Sequence, residues 1–331
     1  MIASITNLKK RGILGMNRRN ADFIMLYNPR KNYPLVDDKV LTKKLAQNAG
    51  MAVPELFGVI DTNYKIHGLK SLLGKLDGFV IKPSRGSGGN GILVAESRRN
   101  DLFFKPDGSV LDINHIKYHT ANILSGMYSL GAIMDKAMIE YKVKFDPIFK
   151  DISFQGVPDI RVIVFRGVPV MSMLRLPTKL SSGRANLHQG AIGVGVDICT
   201  GITLRAVWRN KPVSHHPDTA APIKSLQVPG WDEILNNAAK AREIVGLDYL
   251  GVDIVLDKDL GPMILEFNAR PGLAIQLANN CGLSPRLELV QNITDIPDEP
   301  EKRVALTKKL FGGEVPERPE PDESVISTAE P

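Results

Sequence analysis

Two apolar segments near the end of the chain each carry side-chain oxygens that could bind a metal ion. Glu266 and Asn268 lie two residues apart in a strand-like stretch, so their side chains would point to the same face. Asp253 lies among aliphatic residues in the preceding segment, residues 250–256. If the two strands pair, these oxygens suit Mg²⁺ with nucleotide phosphates completing its shell. We therefore predict a metal site at Asp253, Glu266 and Asn268, in preference to a surface hairpin with incidental polar residues.

A glycine-rich loop between two apolar segments is the second chemical signal, in residues 78–95. Glycine permits positive φ and a close approach of backbone to ligand, and consecutive N–H groups in such a loop can hold an anion. Lys82, at the end of the first segment, adds a positive charge suited to phosphate. The predicted phosphate contacts are Lys82, Ser84, Gly86, Ser87, Gly88 and Gly89.

The glycine-rich loop matches neither of the common nucleotide motifs. No Gly-Lys-Ser/Thr sequence closes it, and no helical pattern follows it, whereas a Walker loop and a dinucleotide fingerprint both lead into a helix. Alone, the loop could be a flexible turn. Combined with the predicted metal site, it indicates one site that holds a triphosphate and its cation.

Length and composition set limits on the class of protein. The 331 residues can form two or three subdomains. The chain has no run of about eighteen apolar residues and no apolar signal sequence at its start, so we expect no membrane span. Cys199 and Cys281 lie among small or apolar residues and indicate no disulfide framework. These features favour a cytoplasmic protein.

Charge is distributed unevenly along the chain, whose net charge is +6. The beginning is basic, whereas residues 314–331 are acidic and rich in proline, so we expect that tail to be disordered. The basic start could contact an acidic partner, nucleic acid or a membrane surface. A solvated segment is the preferred interpretation, because no aromatic residues interleave with the charges as in nucleic-acid binding.

Hydrophobic periodicity predicts the elements that position these residues. Residues 37–50 read as a helix capped by Asp37 or Asp38, ended by Gly50, with an apolar stripe of Val40, Leu41, Leu45 and Ala49. Further helices are predicted within 112–130, 232–245, 273–280 and 296–313, the last with Lys and Arg outside. Strands are predicted at 159–165 and 168–176, forming a hairpin, and at 191–196, while 137–143 is a strand or a linker. Residues 1–36 read as irregular. Glycine turns and interleaved helices argue for an α+β fold with largely antiparallel sheets.

Several motifs in a fixed order resemble the ATP-grasp carboxylate–amine ligases. Within that class the chain looks most similar to alpha-L-glutamate ligase-related proteins, which resemble the enzymes that add glutamate to a ribosomal protein. The likeness covers roughly residues 37–280. The matching motifs are Asp38-Lys39, Val80-Ile-Lys82-Pro, the glycine-rich loop, Ile139-Glu140-Tyr141, Asp159-Ile-Arg161, residues 184–190, Gly251-Val-Asp253 and Leu265-Glu266-Phe-Asn268.

The resemblance implies roles for individual residues and a nucleotide held between two α+β subdomains. It places Lys39 and Lys82 on phosphates, Glu140 and Tyr141 at the adenine edge, and Asp159 at the ribose. It also implies that Arg184 and Asn186 lie beside the γ-phosphate, and that Arg161 or Arg175 stabilises the charge in transfer. Other interpretations remain open: Lys39 as a solvated residue, Asp159 as a strand-end cap, and Arg161 as a salt-bridge partner in the core.

The resemblance also implies a division of the chain and an unusual start. The predicted parts are a basic segment 1–36, an ATP-grasp subdomain 37–136 with the glycine-rich loop, a second subdomain 137–295 with the metal site, and residues 296–331 with a helix and the acidic tail. Related ligases carry a full α/β domain ahead of the Asp-Lys helix, and residues 1–36 are too few for one. The acceptor site is then open, or completed by a second subunit or a partner protein.

The expected function is ATP-dependent formation of an amide or peptide bond through an acyl phosphate, with Mg²⁺ or Mn²⁺ as cofactor. Glutamate, another amino acid or a peptide would be the substrate. The alternatives are another ligase of the same fold, an ATP-binding regulatory or scaffold protein without turnover, and a ribosome-associated module that uses the basic start.

Overall fold

A computed structural model describes residues 5–223 and 225–313. The strands are β1 (Leu56–Ile60), β2 (Phe79–Pro83), β3 (Leu93–Ala95), β4 (Ser97–Arg99), β5 (Leu102–Phe104), β6 (Val110–Leu111), β7 (Ala137–Glu140), β8 (Asp159–Phe165), β9 (Val168–Leu176), β10 (Ile192–Val196), β11 (Thr203–Trp208), β12 (Lys211–Val213), β13 (Tyr249–Asp257) and β14 (Gly261–Asn268). The helices are α1 (Ile5–Lys10), α2 (Met16–Arg18), α3 (Met25–Tyr27), α4 (Pro34–Asp37), α5 (Lys39–Asn48), α6 (Leu69–Leu73), α7 (Ile113–Leu124), α8 (Trp231–Val245), α9 (Ile275–Asn279), α10 (Ser284–Gln291) and α11 (Pro300–Phe311).

Three antiparallel sheets organise the described residues. The largest has seven strands in the order β12-β11-β10-β9-β8-β13-β14, the second has the order β1-β7-β2-β3, and the smallest has β4-β5-β6. Neighbouring strands in all three sheets run antiparallel. The predicted α+β class with antiparallel sheets is therefore confirmed.

The four-stranded sheet carries the glycine-rich loop and has its own apolar core. Strands β2 and β3 flank the loop and pair directly, as the sequence predicts, and β7 at 137–140 proves to be a strand. Helix α7 packs under this sheet through Ile116 and Ile123, and both side chains are fully buried. Asp112 caps α7 by accepting a hydrogen bond from the N–H of His115 at 2.8 Å.

The seven-stranded sheet forms the larger core, and α8 covers it. Ile234, Ala238, Ala241 and Val245, the stripe expected for residues 232–245, are all fully buried. The hairpin β8–β9 turns at Arg166-Gly167 as predicted. Strand β13 lies between β8 and β14, so the segments that carry Asp253 and Glu266 do pair.

The described part of the amino-terminal segment, residues 5–36, is largely helical rather than irregular, which corrects the expectation for it. Helices α1 to α4 and a wide turn at Arg19–Ile24 follow one another, and the side chain of Phe23 is fully buried. Phe23 packs edge-on against Phe165, with ring centroids 5.4 Å apart. Burying one such side chain contributes roughly 1.5–3 kcal/mol, so this segment belongs to the core of the larger sheet.

Two helices bury a basic residue: Lys43 in α5, outside the expected apolar stripe, and Arg303 in α11, whose Lys and Arg were expected on the outside. In α5 the buried face is Val40, Thr42, Lys43 and Ala46, so Leu41 and Ala49 of the expected stripe are exposed. In α11 the side chain of Arg303 is fully buried and its guanidinium pairs with Glu243 at 2.6 Å. Both departures have the same cause, because a carboxylate of another element neutralises each cation.

No helix of the described residues is long and apolar enough to cross a bilayer. The acidic tail, residues 314–331, lies outside the described residues, so its expected disorder stays a prediction. The division at residues 36, 136 and 295 likewise stays a prediction.

Candidate functional site

The start of α5 is fixed against the end of β2. The carboxylate of Asp38 accepts hydrogen bonds from the N–H groups of Val40 and Leu41, which confirms it as the helix cap. The same carboxylate accepts a hydrogen bond from Ser84 Oγ at 2.6 Å, and the N–H of Lys39 donates to Ser84 O at 3.0 Å. Because Ser84 begins the glycine-rich loop, these bonds set where the loop leaves the sheet.

The glycine-rich loop, residues 84–91, lies against the polar loop 177–190. Gly88, Gly89 and Gly91 have φ between +64° and +78°, which residues with a side chain adopt only at a cost. Arg184 Nε donates to Gly89 O at 3.2 Å, and a Cβ on Gly88 would lie 3.2 Å from the amide nitrogen of Asn186. Arg184 and Asn186 therefore lie at the glycine-rich loop, and their place beside a γ-phosphate stays a prediction.

A cavity opens beside this loop. Its volume is about 410 Å³, within the range of roughly 300–1,000 Å³ that ligand pockets occupy. Ser87, Asn90, Gly91, Tyr128 and Arg184 contribute to its lining. The hydroxyl, the backbone groups of the loop and the guanidinium all suit a phosphate ligand.

Lys39 connects the glycine-rich loop with the predicted metal site. Its ammonium group donates to Gly86 O at 2.6 Å and lies 3.4 Å from a carboxylate oxygen of Glu266. The interpretation of Lys39 as a solvated residue is therefore wrong. The glycine-rich loop of the four-stranded sheet and β14, the last strand of the seven-stranded sheet, meet at this side chain.

Lys82 shares one buried carboxylate with Lys43, a residue that none of the sequence motifs contains. Lys82 and Lys43 each place an ammonium 2.5 Å from a different oxygen of Glu140. Burial alone would raise the pKa of Glu140, but the two lysines hold it below its usual value. Burial lowers the pKa of Lys43 to about 8. Lys43 lies one turn after Lys39, and that spacing on a helix with Asp-Lys at its start is the signal that could have found it.

Four buried charges form a network on β8, β9 and β13. Arg161 donates to both oxygens of Asp253, at 2.6 and 2.5 Å. Arg175 donates to Asp253 at 2.7 Å and also pairs with both oxygens of Asp159. Arg161 thus makes a salt bridge in the core, which is one of the interpretations that the sequence leaves open. Asp159, expected at the ribose, is engaged by Arg175, so the ribose role stays a prediction.

Burial and pairing move the two carboxylates in opposite directions. Burial raises the pKa of Asp159 most, and the negative charge of Asp253 raises it further. Arg175 lowers it in part, and the resulting pKa is about 6. Burial opposes ionisation of Asp253 as well, but two guanidiniums hold its pKa well below the usual range. Both carboxylates are ionised at neutral pH, so the network contains two positive and two negative charges.

The predicted metal ligands are adjacent, and their oxygens are suited to a hard cation. Asp253 and Glu266 are direct partners across β13 and β14. Asn268 follows on β14, and its side-chain oxygen accepts from the N–H of Arg270 at 2.8 Å. Within residues 5–223 and 225–313, no group of three or more His, Cys, Asp or Glu could hold a metal. Two carboxylates and an amide therefore fit Mg²⁺ only together with oxygens of a ligand such as phosphate.

Tyr141 has a different environment from the one expected. Its backbone N–H donates to Glu55 O at 2.8 Å, and burial together with the carboxylate of Asp257 raises the pKa of its hydroxyl to about 12. The N–H that could read an adenine edge is therefore engaged with the end of the segment before β1. The adenine role of Glu140 and Tyr141 stays a prediction.

The fold and the site together define an ATP-grasp protein. A family model described as sugar-transfer associated ATP-grasp matches residues 18–292, and the chain belongs to that family. The expected ATP-grasp fold is thus confirmed. The narrower likeness to ribosomal-protein glutamate ligases stays a prediction. The comparison with curated proteins gave no match.

Solved structures of ATP-grasp ligases are among the similar folds. The ligase PsnB in complex with a minimal precursor has 16% identity and a TM-score of 0.44, over 80% of this chain and 63% of its own. D-cycloserine synthetase DcsG has 16% identity and a TM-score of 0.43, over 80% and 71%. The D-alanine-D-alanine ligase from Coxiella burnetii has 12% identity and a TM-score of 0.45, over 85% and 62%. The chain spans less than two thirds of PsnB, and likenesses this distant carry no argument about activity.

Proposed function

We propose that the protein is an ATP-dependent carboxylate–amine ligase. The supporting observation is the position of Lys39, whose ammonium contacts both the glycine-rich loop at Gly86 and the carboxylate of Glu266. A triphosphate on the loop would thereby lie next to the oxygens of Glu266 and Asn268. ATP is the proposed nucleotide, with Mg²⁺ or Mn²⁺ as its cation.

The proposed reaction has two steps. A substrate carboxylate attacks the γ-phosphorus of ATP, and the bond from that phosphorus to the bridging β–γ oxygen breaks. ADP departs, and the substrate becomes an acyl phosphate. An amine then attacks the acyl carbon, loses a proton, and expels inorganic phosphate as the amide forms. The protein makes no covalent bond to the substrate, so its contribution is positioning and charge stabilisation.

The residues of the site divide this work. Lys39 and Arg184, which contact the loop at Gly86 and Gly89, would neutralise charge on the transferred phosphoryl group. Lys82 has three N–H donors, so it can hold Glu140 and still donate to a phosphate oxygen. Glu266 and Asn268 would hold the cation, which when bound supplies a positive charge that bridges phosphate oxygens. Asp253 would join them only by sharing oxygens that its two arginines already bind.

The substrate and the setting are also proposed. Glutamate, another amino acid or a peptide would supply the carboxylate and the amine, in keeping with the resemblance to glutamate ligases. A partner protein or second subunit would complete the acceptor side. The two half-buried thiols, Cys199 and Cys281, suit the proposed cytoplasmic location.

A catalytically silent ATP-binding protein is the second candidate. The observation that favours it is the complete engagement of Asp253, whose two oxygens accept from Arg161 and Arg175. Such a protein would bind nucleotide through the loop and Lys39 without turnover, and would act as a regulator or scaffold.

The variant Glu266→Gln tests the ligase proposal. It keeps the shape of the side chain but removes the charge that faces the cation, so we expect ADP release to fall at least about 100-fold. ADP release with an amino-acid and peptide pool, followed by mass spectrometry of the products, is the measurement. Glu233→Gln, at an exposed position of α8, makes the same change away from the site and should leave the rate unaltered.

Two results would contradict the ligase proposal. If Glu266→Gln released ADP as fast as the wild type, Glu266 would not bind the cation. If the wild type bound nucleotide but gave no product with any carboxylate and amine pair, the silent protein would be the better description.

A further inference from the structure

Three arginines converge on a second cavity of about 520 Å³. Arg19 and Arg30 come from the amino-terminal segment and Arg270 from the loop after β14, and the cavity has no Asp or Glu among its lining residues. The basic start of the chain thus contributes to a concave site instead of remaining a uniformly solvated segment. We call this cavity the arginine pocket.

Neutral groups hold two of the three guanidiniums of the arginine pocket, those of Arg19 and Arg270, in place. Arg19 donates to Pro271 O at 3.0 Å and to the side-chain oxygen of Asn20 at 2.8 Å. The guanidinium of Arg270 lies over the ring of Tyr33, 4.9 Å from its centroid. These contacts orient the two side chains without neutralising their charge. A ligand that carries negative charge would therefore find donors already in position.

The wall of the arginine pocket is built into the core. Asn28, which is 3% exposed, donates to Tyr249 O at 2.6 Å and accepts from the N–H of Tyr249 at 2.9 Å. Its amide also donates to Ala269 O at 3.4 Å. The amino-terminal side of the pocket is thereby tied to the start of β13 and to the residue after β14.

The arginine pocket begins where the candidate metal strand ends. Arg270 is two residues beyond Asn268, and its N–H donates to the side-chain oxygen of Asn268 at 2.8 Å. Arg19 contacts the carbonyl oxygen of the next residue, Pro271. A molecule in the pocket would thus contact the loop that leads directly from Glu266 and Asn268.

Three positive charges in one cavity repel each other unless an anion joins them. Guanidinium groups bind carboxylate and phosphate through paired hydrogen bonds, and such charge-assisted bonds are the strong ones. We propose that the arginine pocket binds an anionic group, a carboxylate or a phosphate, of the second substrate. The existence of the anion site stands on this geometry alone, whereas its identification as a substrate site rests on the proposed ligase function.

Titration with small anions tests the pocket directly. Succinate, inorganic phosphate and neutral succinamide are titrated by calorimetry at constant ionic strength, with and without saturating Mg-ADP to occupy the phosphate loop. We expect succinate or phosphate to bind the wild type, and to bind Arg30→Gln and Arg270→Gln at least about ten-fold more weakly, because each variant loses a charge-assisted hydrogen bond. Arg209→Gln, at an exposed position in the turn between β11 and β12, should bind like the wild type.

Each outcome decides between named alternatives. Preference for succinate identifies an acidic amino acid or peptide as the substrate class, and preference for phosphate identifies a phosphorylated one. Equal affinity of the wild type and both pocket variants, or binding of neither anion, overturns the proposal. If Mg-ADP fails to bind while the anion titration still distinguishes the variants, the ligase proposal fails and the anion site stands.

Discussion

Asp159, Arg161, Arg175 and Asp253 lie side by side on β8, β9 and β13, with side chains between 2% and 11% exposed. Removing four charges from water is costly, and the cost is offset only where each charge meets an opposite one in good geometry. Here the guanidiniums bind both carboxylates through paired N–H donors. The network therefore fixes the direction of the side chains on three strands beside the candidate metal site.

The pKa of Asp159 predicts a pH dependence of stability. Its folded value of about 6 exceeds the ordinary value of about 4, so between these values the folded protein keeps a proton that the unfolded chain has lost. The stabilisation from this group is fully present below about pH 4 and is lost as pH rises through 6. Asp159→Asn removes the titration. The wild-type free energy of unfolding, minus that of the variant, should therefore fall by about 2–3 kcal/mol from pH 4 to 7.

Urea unfolding at intervals of pH measures this difference. Asp253 has a lowered pKa, so the stability that it contributes is present above the ordinary aspartate pKa of about 4. That contribution is lost only at lower pH, outside the range from pH 4 to 7. A difference that stays constant from pH 4 to 7 would show that burial does not raise the pKa of Asp159.

At the scale of elements, the glycine-rich loop is shaped by its neighbours as much as by its own glycines. A Cβ on Gly89 would lie 3.0 Å from Cδ of Arg184, whereas Gly108, in the hairpin turn between β5 and β6, has nothing within 4 Å. Both glycines have left-handed φ, +78° and +82°. This pair separates the cost of backbone strain from the cost of disturbing the site.

Gly89→Ala and Gly108→Ala should carry the same backbone cost but affect nucleotide binding differently. Each alanine in left-handed backbone costs about 1–2 kcal/mol. In Gly89→Ala the methyl group also displaces Arg184, so we expect about ten-fold weaker binding of a non-hydrolysable ATP analogue. Urea unfolding and calorimetry give the two quantities. Equal affinities of the two variants would remove Arg184 from the nucleotide site.

The sequence was sufficient for elements with strong periodicity and clear turn residues. The hairpin β8–β9 and the stripe of α8 follow from aliphatic spacing and from Arg166-Gly167. It was insufficient where a distant residue reverses a local preference. Lys43 and Arg303 are buried because Glu140 and Glu243 reach them from other elements, and no local pattern contains that information. The amino-terminal helices are too short for periodicity to reveal.

For the candidate site, the sequence predicted the residue types and the strand pairing better than the contacts. Asp253 and Glu266 are partners as expected, and Arg184 meets the loop. Asp253 and Asp159 pair with arginines because Arg161 on β8 and Arg175 on β9 lie next to them in the sheet. That arrangement follows from strand order, which local sequence does not specify.

At the scale of the whole molecule, Lys39 lies between two apolar cores. The glycine-rich loop belongs to the four-stranded sheet and Glu266 to the seven-stranded sheet. Lys39 contacts both the loop and Glu266. A nucleotide bound at this point would contact groups from both sheets. Its binding energy would then add to the stability of the folded chain as a whole.

Removal of the metal ion should reveal this coupling. With Mg²⁺ and ADP at about 100 times the dissociation constant, we expect the free energy of unfolding to rise by about 2.7 kcal/mol. EDTA should remove most of that gain, because the carboxylate of Glu266 would then face the phosphates without a cation. EDTA without ADP should change nothing, since the described residues hold no cluster that binds a metal alone. An ADP effect that persists undiminished in EDTA would contradict the metal site.

Strand β14, which carries Glu266 and Asn268, is the outermost strand of its sheet. Exposed strand edges invite pairing with other molecules. Here the segment after α5 covers part of that edge, where the N–H of Ile264 donates to Ala52 O at 2.8 Å. Loosening the segment after α5 would uncover that edge. A change that loosens this segment would therefore disturb the candidate site and also promote self-association. Precipitation and loss of ligand binding would then have the same cause.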